Sequence, residues 1–172
     1  METLIATLLL WIGTHSSYNV TELPVPEVRL LTPQELTSEY YRGAEAALPA
    51  SGIDARILAL YNHEDADNGI VFLLDPRLND ELIIESANIE NLMDDRSQPL
   101  HKEWLGNIIF QEQLLHELVH HVQYQSGVVD QFPCPAYGEQ EAYLLGGKFL
   151  KLRHSDDPLP NRSVLAHIYS RC

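Results

Sequence analysis

The amino-acid sequence predicts an α+β domain, and three observations carry that prediction. Apolar residues recur at helical spacing around the segment His116-Glu117-Leu118-Val119-His120 and again across 143–152. Short β-type runs at 28–31, 57–61 and 70–74 lie between the helical stretches. No internal repeat or low-complexity tract interrupts them, so residues 1–172 read as one domain long enough for a hydrophobic core.

The elements follow in order. Residues 2–13 read as an amphipathic or buried first helix ended by Gly13. They carry no basic segment ahead of the apolar run and no clean small-residue cleavage site after it, which argues against an export signal. The run is also too short to span a bilayer. Residues 19–29 are extended, with Pro24 and Pro26, and 28–31 form a short strand. Thr32-Pro33-Gln34-Glu35 starts a helix, with Thr at the cap, Pro at the first position and Glu at the third. That helix should run over 33–47 and stop before Pro49. Strands at 57–61 and 70–74 flank a turn at 64–69, and the Asn68-Gly69 pair supports a hairpin. Residues 82–85 form a short strand or helical turn, and 88–99 are loop-like. The motif helix begins at 100 or 101 and continues to 125, closed by Gly127. Pro133 and Pro135 bracket Cys134, a further helix spans 136–153, Pro158 and Pro160 break it, and a last helix spans 162–170.

Composition narrows the function. Eleven Lys and Arg stand against 25 Asp and Glu, a formal net charge of −14. That balance argues against nucleic acid or an anionic membrane as partner and disfavours strongly acidic substrates. Two cysteines without C-x-x-C spacing argue against a redox motif or a thiolate zinc site.

The chemistry concentrates in the H-E-x-x-H motif. Residues four apart share a helix face, so His116 and His120 can present imidazole nitrogens to one metal ion. Glu117 is then placed to act as general base on a metal-activated water, the arrangement of zinc hydrolases. As structural residues in an apolar helix, these groups would be buried polar side chains costing about 1–3 kcal/mol each if unpaired. His121 points about 100° away around the helix and reads as a surface or supporting residue. A catalytic zinc needs a third protein ligand. Ser126 excludes a histidine six residues past His120, so the downstream helix must supply it, through Glu139 or Glu141. These point about 200° apart. Glu141 is preferred because the small Ala142 follows it, where two helices would cross closely. Glu139 remains open, since a carboxylate near a helix start is also explained by the helix dipole.

With these residues in view, HELVHHVQYQSG followed by CPAYGEQEAYLLGGKFL resembles the gluzincin clan of zinc metallopeptidases, in particular an uncharacterised bacterial group of minimal single-domain members. The resemblance covers about 32–152. It implies a zincin-like fold in which a small mixed sheet packs on the H-E-x-x-H helix and a glutamate-bearing helix, with an edge strand, matched here to 69–74, bordering the cleft. It implies Zn²⁺ held by His116, His120 and Glu141, Glu117 as base, and a peptide or protein substrate bound in extended form. One departure is visible. Thermolysin carries an acidic residue four positions beyond its ligand glutamate, and Leu145 stands there. Support for the histidines must come from elsewhere, and an inactive zincin-fold protein that works by binding a partner is the alternative. Tyr124, Tyr137, Tyr143, His154 and His167 are the candidates for stabilising an oxyanion.

Cys134 and Cys172 are either free thiols or a staple of the C-terminus. Two antiparallel helices over 136–153 and 162–170 would rise roughly 27 and 14 Å and return the chain end toward Cys134, which favours a disulfide. A disulfide would favour a secreted or periplasmic location over the cytoplasm.

Overall fold

A computed structural model of the chain describes residues 1–78 and 99–172. The expected strand or turn at 82–85 and nearly all of the loop at 88–99 lie outside the described residues. The rest is the α+β arrangement that the pattern implies: a three-stranded mixed sheet packed against the helix carrying His116 and His120 and the helix carrying Glu139.

Helix α1, Glu2–His15, buries Ile5, Leu8, Leu9 and Ile12, so its apolar stripe belongs to the core. It passes through Gly13 rather than ending there. A Cβ on Gly13 would lie 2.6 Å from Val20 Cγ2, so this glycine permits close approach of the returning chain. Ser16 ends the helix, its backbone N–H and hydroxyl both donating to Ile12 O.

Strand β1, Glu27–Leu31, leads into helix α2, Pro33–Tyr40, which starts with the expected capping box between Thr32 and Glu35. The helix ends seven residues earlier than the sequence suggested. Gly43 adopts φ +79° and turns the chain, leaving the alanines only a single 3-10 turn at Glu45–Ala47. The buried Thr37 hydroxyl also donates to Pro33 O and accepts from the Asp54 backbone N–H, fastening the last turn to the next segment.

Strands β2, Ala59–Asn62, and β3, Ile70–Leu74, form the hairpin. Sheet order is β1-β3-β2, with β1 parallel and β2 antiparallel to β3. This corrects one expectation: 69–74 is not the edge strand. β3 is central and buried at every position. Val71 and Leu73 face the main core, while Ile70, Phe72 and Leu74 face a second cluster around Leu36. An unbroken apolar run is the mark of a strand covered on both faces, and an edge strand has no need of it. Among the described residues β1 and β2 are the two edges, and it is β2 that borders the cleft through Ala59, Leu60 and Tyr61. Leu74 N–H donates to Leu58 O. With the register Ala59↔Leu73, residues 58, 60 and 62 therefore bond to β3, and the backbone groups of Ala59 and Tyr61 point outward.

The predicted motif helix is two helices. α3, Lys102–Gly106, stops at Asn107, whose side-chain oxygen accepts from the N–H groups of Ile109 and Phe110 and caps α4, Ile108–Gln125. Gly127, at φ +70°, closes α4 as expected. α4 is the central element: Phe110, Leu114, Leu115, Leu118, Val119 and Val122 are fully buried against α1, β3 and helix α5, Tyr137–Leu152. α6, Arg162–Tyr169, packs back on α5. Cys134 and Cys172 form the expected disulfide, with Cα atoms 5.9 Å apart. No helix among the described residues is long and apolar enough to cross a membrane.

Candidate metal centre and cleft

His116 and His120 lie one turn apart on α4 and are mostly covered, with 15% and 14% of their side-chain surfaces exposed. The carboxylate that meets them is that of Glu139, in the first turn of α5. Its Oε2 is 3.0 Å from His116 Nε2 and its Oε1 is 3.3 Å from His120 Nε2. Candidate ligand atoms of the three residues all fall within 4.8 Å of one another, close enough to hold one metal ion, and among the described residues no fourth His, Cys, Asp or Glu joins the cluster. Two imidazoles and one carboxylate suit zinc.

Glu141, preferred from the sequence, is brought elsewhere. Its Oε2 accepts from Tyr18 Oη at 2.6 Å and from Gln123 Nε2 at 3.1 Å. The inference from Ala142 used the wrong neighbour. Ala142 does lie fully buried where α5 meets α4, but residues three or four apart share a helix face. The buried positions Gly138, Ala142, Leu145, Gly146 and Phe149 trace the inward face of α5, and Glu139 stands beside them, three before Ala142.

Gln123 was missed. It is one turn beyond His120 on α4 and almost fully buried. Its Nε2 donates to Gly138 O at 3.0 Å as well as to Glu141, so its Oε1 is left to accept from His120 Nδ1–H at 3.1 Å. This turns the other ring nitrogen of His120, Nε2, toward Glu139 and the cleft. The Tyr18–Glu141–Gln123–His120 chain is the support that the apolar Leu145 cannot give. The signal available in the sequence was a polar residue at helical spacing from a motif histidine in an otherwise apolar stretch.

His121 is wholly buried, not a surface residue. Its Nε2 donates to Pro24 O at 2.8 Å and its Nδ1 faces Tyr61 Oη at 3.3 Å, which pins the segment before β1 to α4. Burial pushes its pKa down, so it stays neutral.

Charge in the triad is strongly coupled. Burial opposes ionisation of Glu139, but its hydrogen bonds to His116 and His120 win and hold the carboxyl well below the usual range. Burial likewise opposes charge on His120, yet Glu139 and Glu117 raise its pKa to about 9. Glu117 is buried, accepts no hydrogen bond among the described residues, and has its pKa pushed up by desolvation.

The cleft has two lobes that share Ala59, Glu117 and Glu139. A lobe of about 600 Å³ lies beside His120, and a second of about 350 Å³ lies beside His116, between Arg56, Glu112, Tyr143 and Arg162. Of the oxyanion candidates, Tyr124 lines the first lobe and Tyr143 the second, its ring edge-on to His116 at 4.9 Å. Desolvation and the charge of Glu139 push the Tyr143 phenol up to about 12, so it remains a donor. Tyr137 lies in a separate pocket with Tyr18 and Glu141, while His154 and His167 are exposed.

Comparison with protein-family models, with curated proteins and with solved structures finds no match. The likeness to a zincin rests on the chain itself: a mixed sheet, a helix bearing HExxH, and a second helix that carries a carboxylate to both histidines.

Proposed function

We propose that the protein is a zinc-dependent metallopeptidase, with the metal held by His116, His120 and Glu139 and with Glu117 as general base. The observation that carries this reading is Glu117: a mostly covered side chain next to both histidines that lines both lobes of the cleft where they meet. A closed structural zinc site has no use for such a group, whereas a catalytic one keeps three protein ligands and an open position. Zinc, when bound, supplies Lewis acidity toward a water and a peptide carbonyl. Glu117 accepts the proton of that water and returns it to the leaving amine, a task suited to a carboxylate whose pKa is raised by burial. Tyr143 lines the second lobe with its ring edge-on to His116 and is the better placed candidate to steady the developing oxyanion. The outward N–H and C=O groups of Ala59 and Tyr61 on β2 take the role first assigned to 69–74 and pair with an extended peptide. The Cys134–Cys172 disulfide supports a secreted or periplasmic location.

The test is a peptide-library digest by the zinc-loaded protein beside its Glu117→Gln variant. Both should bind about one zinc per chain, and cleavage should fall at least about 100-fold in the variant. Equal turnover in the two would remove Glu117 from the mechanism. Failure of either to take up zinc would remove the metal centre.

A further inference from the structure

We propose that the outer face of α1, α5 and α6 docks on a membrane surface of anionic phospholipid, an inference that does not depend on the peptidase reading. The net charge of −14 conceals a division. Residues 142–172 hold five Lys and Arg against two Asp, whereas residues 1–141 hold six against 23 Asp and Glu. Ion pairing follows the same line. Arg29, Arg42, Arg56, Arg77 and Arg162 each meet a carboxylate, while Lys148 and Lys151 on α5 and Arg171 after α6 meet none among the described residues. In a chain with more than twice as many carboxylates as cations, acid has been kept off this face. Of the carboxylates close by in the chain, Glu141 accepts from Tyr18 and Asp157 holds Arg162, which leaves Glu2 and Asp156.

The same face is apolar. Leu10, Leu144, Leu152, Val164 and Ile168 are each at least half exposed, five of the nine large apolar side chains that the described residues leave open. Helical spacing gathers them with the cations: Leu144, Lys148, Lys151 and Leu152 share one side of α5, and Val164, Ile168 and Arg171 share one side of α6. α5 meets α1 through Phe149, edge-on to Trp11 at 5.3 Å, and α6 through Tyr143, stacked on Tyr169 at 5.6 Å. Phe149 and Tyr143 lie about 120° apart around α5, and the strip from Leu144 to Leu152 occupies the open arc beyond them. The rings therefore turn inward, and the side chains presented outward are Lys with Leu, Val and Ile. Protein interfaces favour aromatic residues and Arg and are poor in Lys. Lys beside aliphatic side chains is the composition of helices that lie in a lipid headgroup layer. The exposed hydroxyls of α1 are satisfied within the helix, Thr7 donating to Thr3 O and Thr14 to Leu10 O, so neither requires water. The acidic remainder does not prevent approach, because charge beyond a Debye length, about 8 Å at physiological ionic strength, is largely screened. Pro158 and Leu159, between α5 and α6, also line the lobe beside His116, so docking sets the cleft at the rim of the contact.

The experiment sediments the full chain, disulfide intact, with vesicles of phosphatidylcholine alone or containing about one-third phosphatidylglycerol. Binding should be at least about tenfold tighter to the anionic vesicles and should weaken as salt rises. Lys148→Gln with Lys151→Gln should weaken it by about 10–30-fold, and Val164→Ser with Ile168→Ser by a comparable factor. Melting temperatures should stay nearly unchanged in both, because all four side chains are exposed. Arg29→Gln with Arg42→Gln removes the same net charge elsewhere and should leave binding within about twofold. Equal losses in the two charge variants would make net charge the cause and overturn the docking face. Equal affinity for the two vesicles, or binding to neither, would overturn it as well. A concentration-dependent dimer in analytical ultracentrifugation, abolished by Val164→Ser with Ile168→Ser and unaccompanied by vesicle binding, also overturns it and gives the face to a second copy of the chain.

Discussion

Glu139 and Glu141 stand two residues apart on α5 and serve opposite ends of the same imidazole. Glu139 faces His120 Nε2 directly, while Glu141 reaches His120 Nδ1 through the amide of Gln123. Their unequal positions predict unequal losses. Glu139→Gln should weaken zinc binding more than Glu141→Gln, which should cost about 10–100-fold, the usual effect of removing an outer-shell partner. Competition with a fluorescent chelator measures both. Equal losses would make the two carboxylates equivalent and contradict their separation.

Gln123 is the link, and its replacement isolates the link from the charge. Gln123→Leu keeps the volume roughly constant but removes the acceptor for His120 Nδ1–H and the donor to Gly138 O. Zinc affinity should drop by about 10–100-fold with one zinc per chain retained. Gln123→Glu restores an acceptor for His120 but repels Glu141, so it should recover less than full affinity. An unchanged affinity in Gln123→Leu would show that packing alone orients the histidine.

Metal-free protein should respond to pH through His120. Its pKa rises in the folded state from the ordinary value of about 6.5 to about 9, chiefly because Glu139 and Glu117 outweigh burial. A raised histidine pKa stabilises the fold fully below the unfolded value, and that stabilisation disappears as pH climbs through the folded one. The chelator-treated protein should therefore lose melting temperature between about pH 6.5 and 9. Zinc requires the unprotonated ring, so the gap in melting temperature between loaded and stripped protein should widen over the same window. Differential scanning calorimetry across that range decides it, and a constant gap would contradict the coupling.

Most of the fold was legible because its signals are local. The capping box at Thr32, the turn at Gly127 and the apolar periodicity of α4 depend on residues adjacent in the chain. What was not legible depended on tertiary placement. The unbroken apolar run of Ile70–Leu74 marks a strand covered on both faces, but which strands flank it, and in which direction, comes only from its pairing with β1 and β2. The early end of α2 turns on Gly43 at positive φ and on Thr37 bonding to Asp54, seventeen residues away. At the site, the motif histidines and Glu117 were readable from spacing, whereas choosing between Glu139 and Glu141 required the phase of α5 relative to α4. The face Gly138, Ala142, Gly146 carries that phase, read at intervals of four.

The tandem Gly146-Gly147 gives a stability prediction. A Cβ at Gly146 would fall 2.2 Å from Glu112 Oε1 and 2.9 Å from Arg162 Nη1, the two ends of a buried 2.7 Å ion pair joining α4 to α6. Arg162 is also held bidentately by Asp157 at 2.8 and 3.0 Å, so it has little freedom to retreat. Gly146→Ala should destabilise by about 1–3 kcal/mol through overpacking, rising to about 3–5 kcal/mol if the pair separates. Gly106→Ala, where a Cβ meets nothing within 4 Å, is the control and should stay within about 0.5 kcal/mol. Urea midpoints of the two variants test the contrast.

The disulfide joins stability to the site. It closes a 38-residue separation between the loop ahead of α5 and the chain end after α6. On the chain-entropy account a loop of that length stabilises by about 4 kcal/mol, so the Cys134→Ser, Cys172→Ser double variant should melt markedly lower. The effect should not stop at stability. Cys134 is five residues before Glu139, and Pro133 to Pro135 form the rim of the lobe beside His120. Freed from Cys172, that rim holds the first turn of α5 less firmly, and zinc affinity should fall along with the melting temperature. Measuring both on the double variant, with Gly146→Ala as a destabilised protein whose disulfide is intact, separates the two effects. If zinc affinity falls equally in both, global stability is the cause; if it falls only in the disulfide variant, the rim positions Glu139.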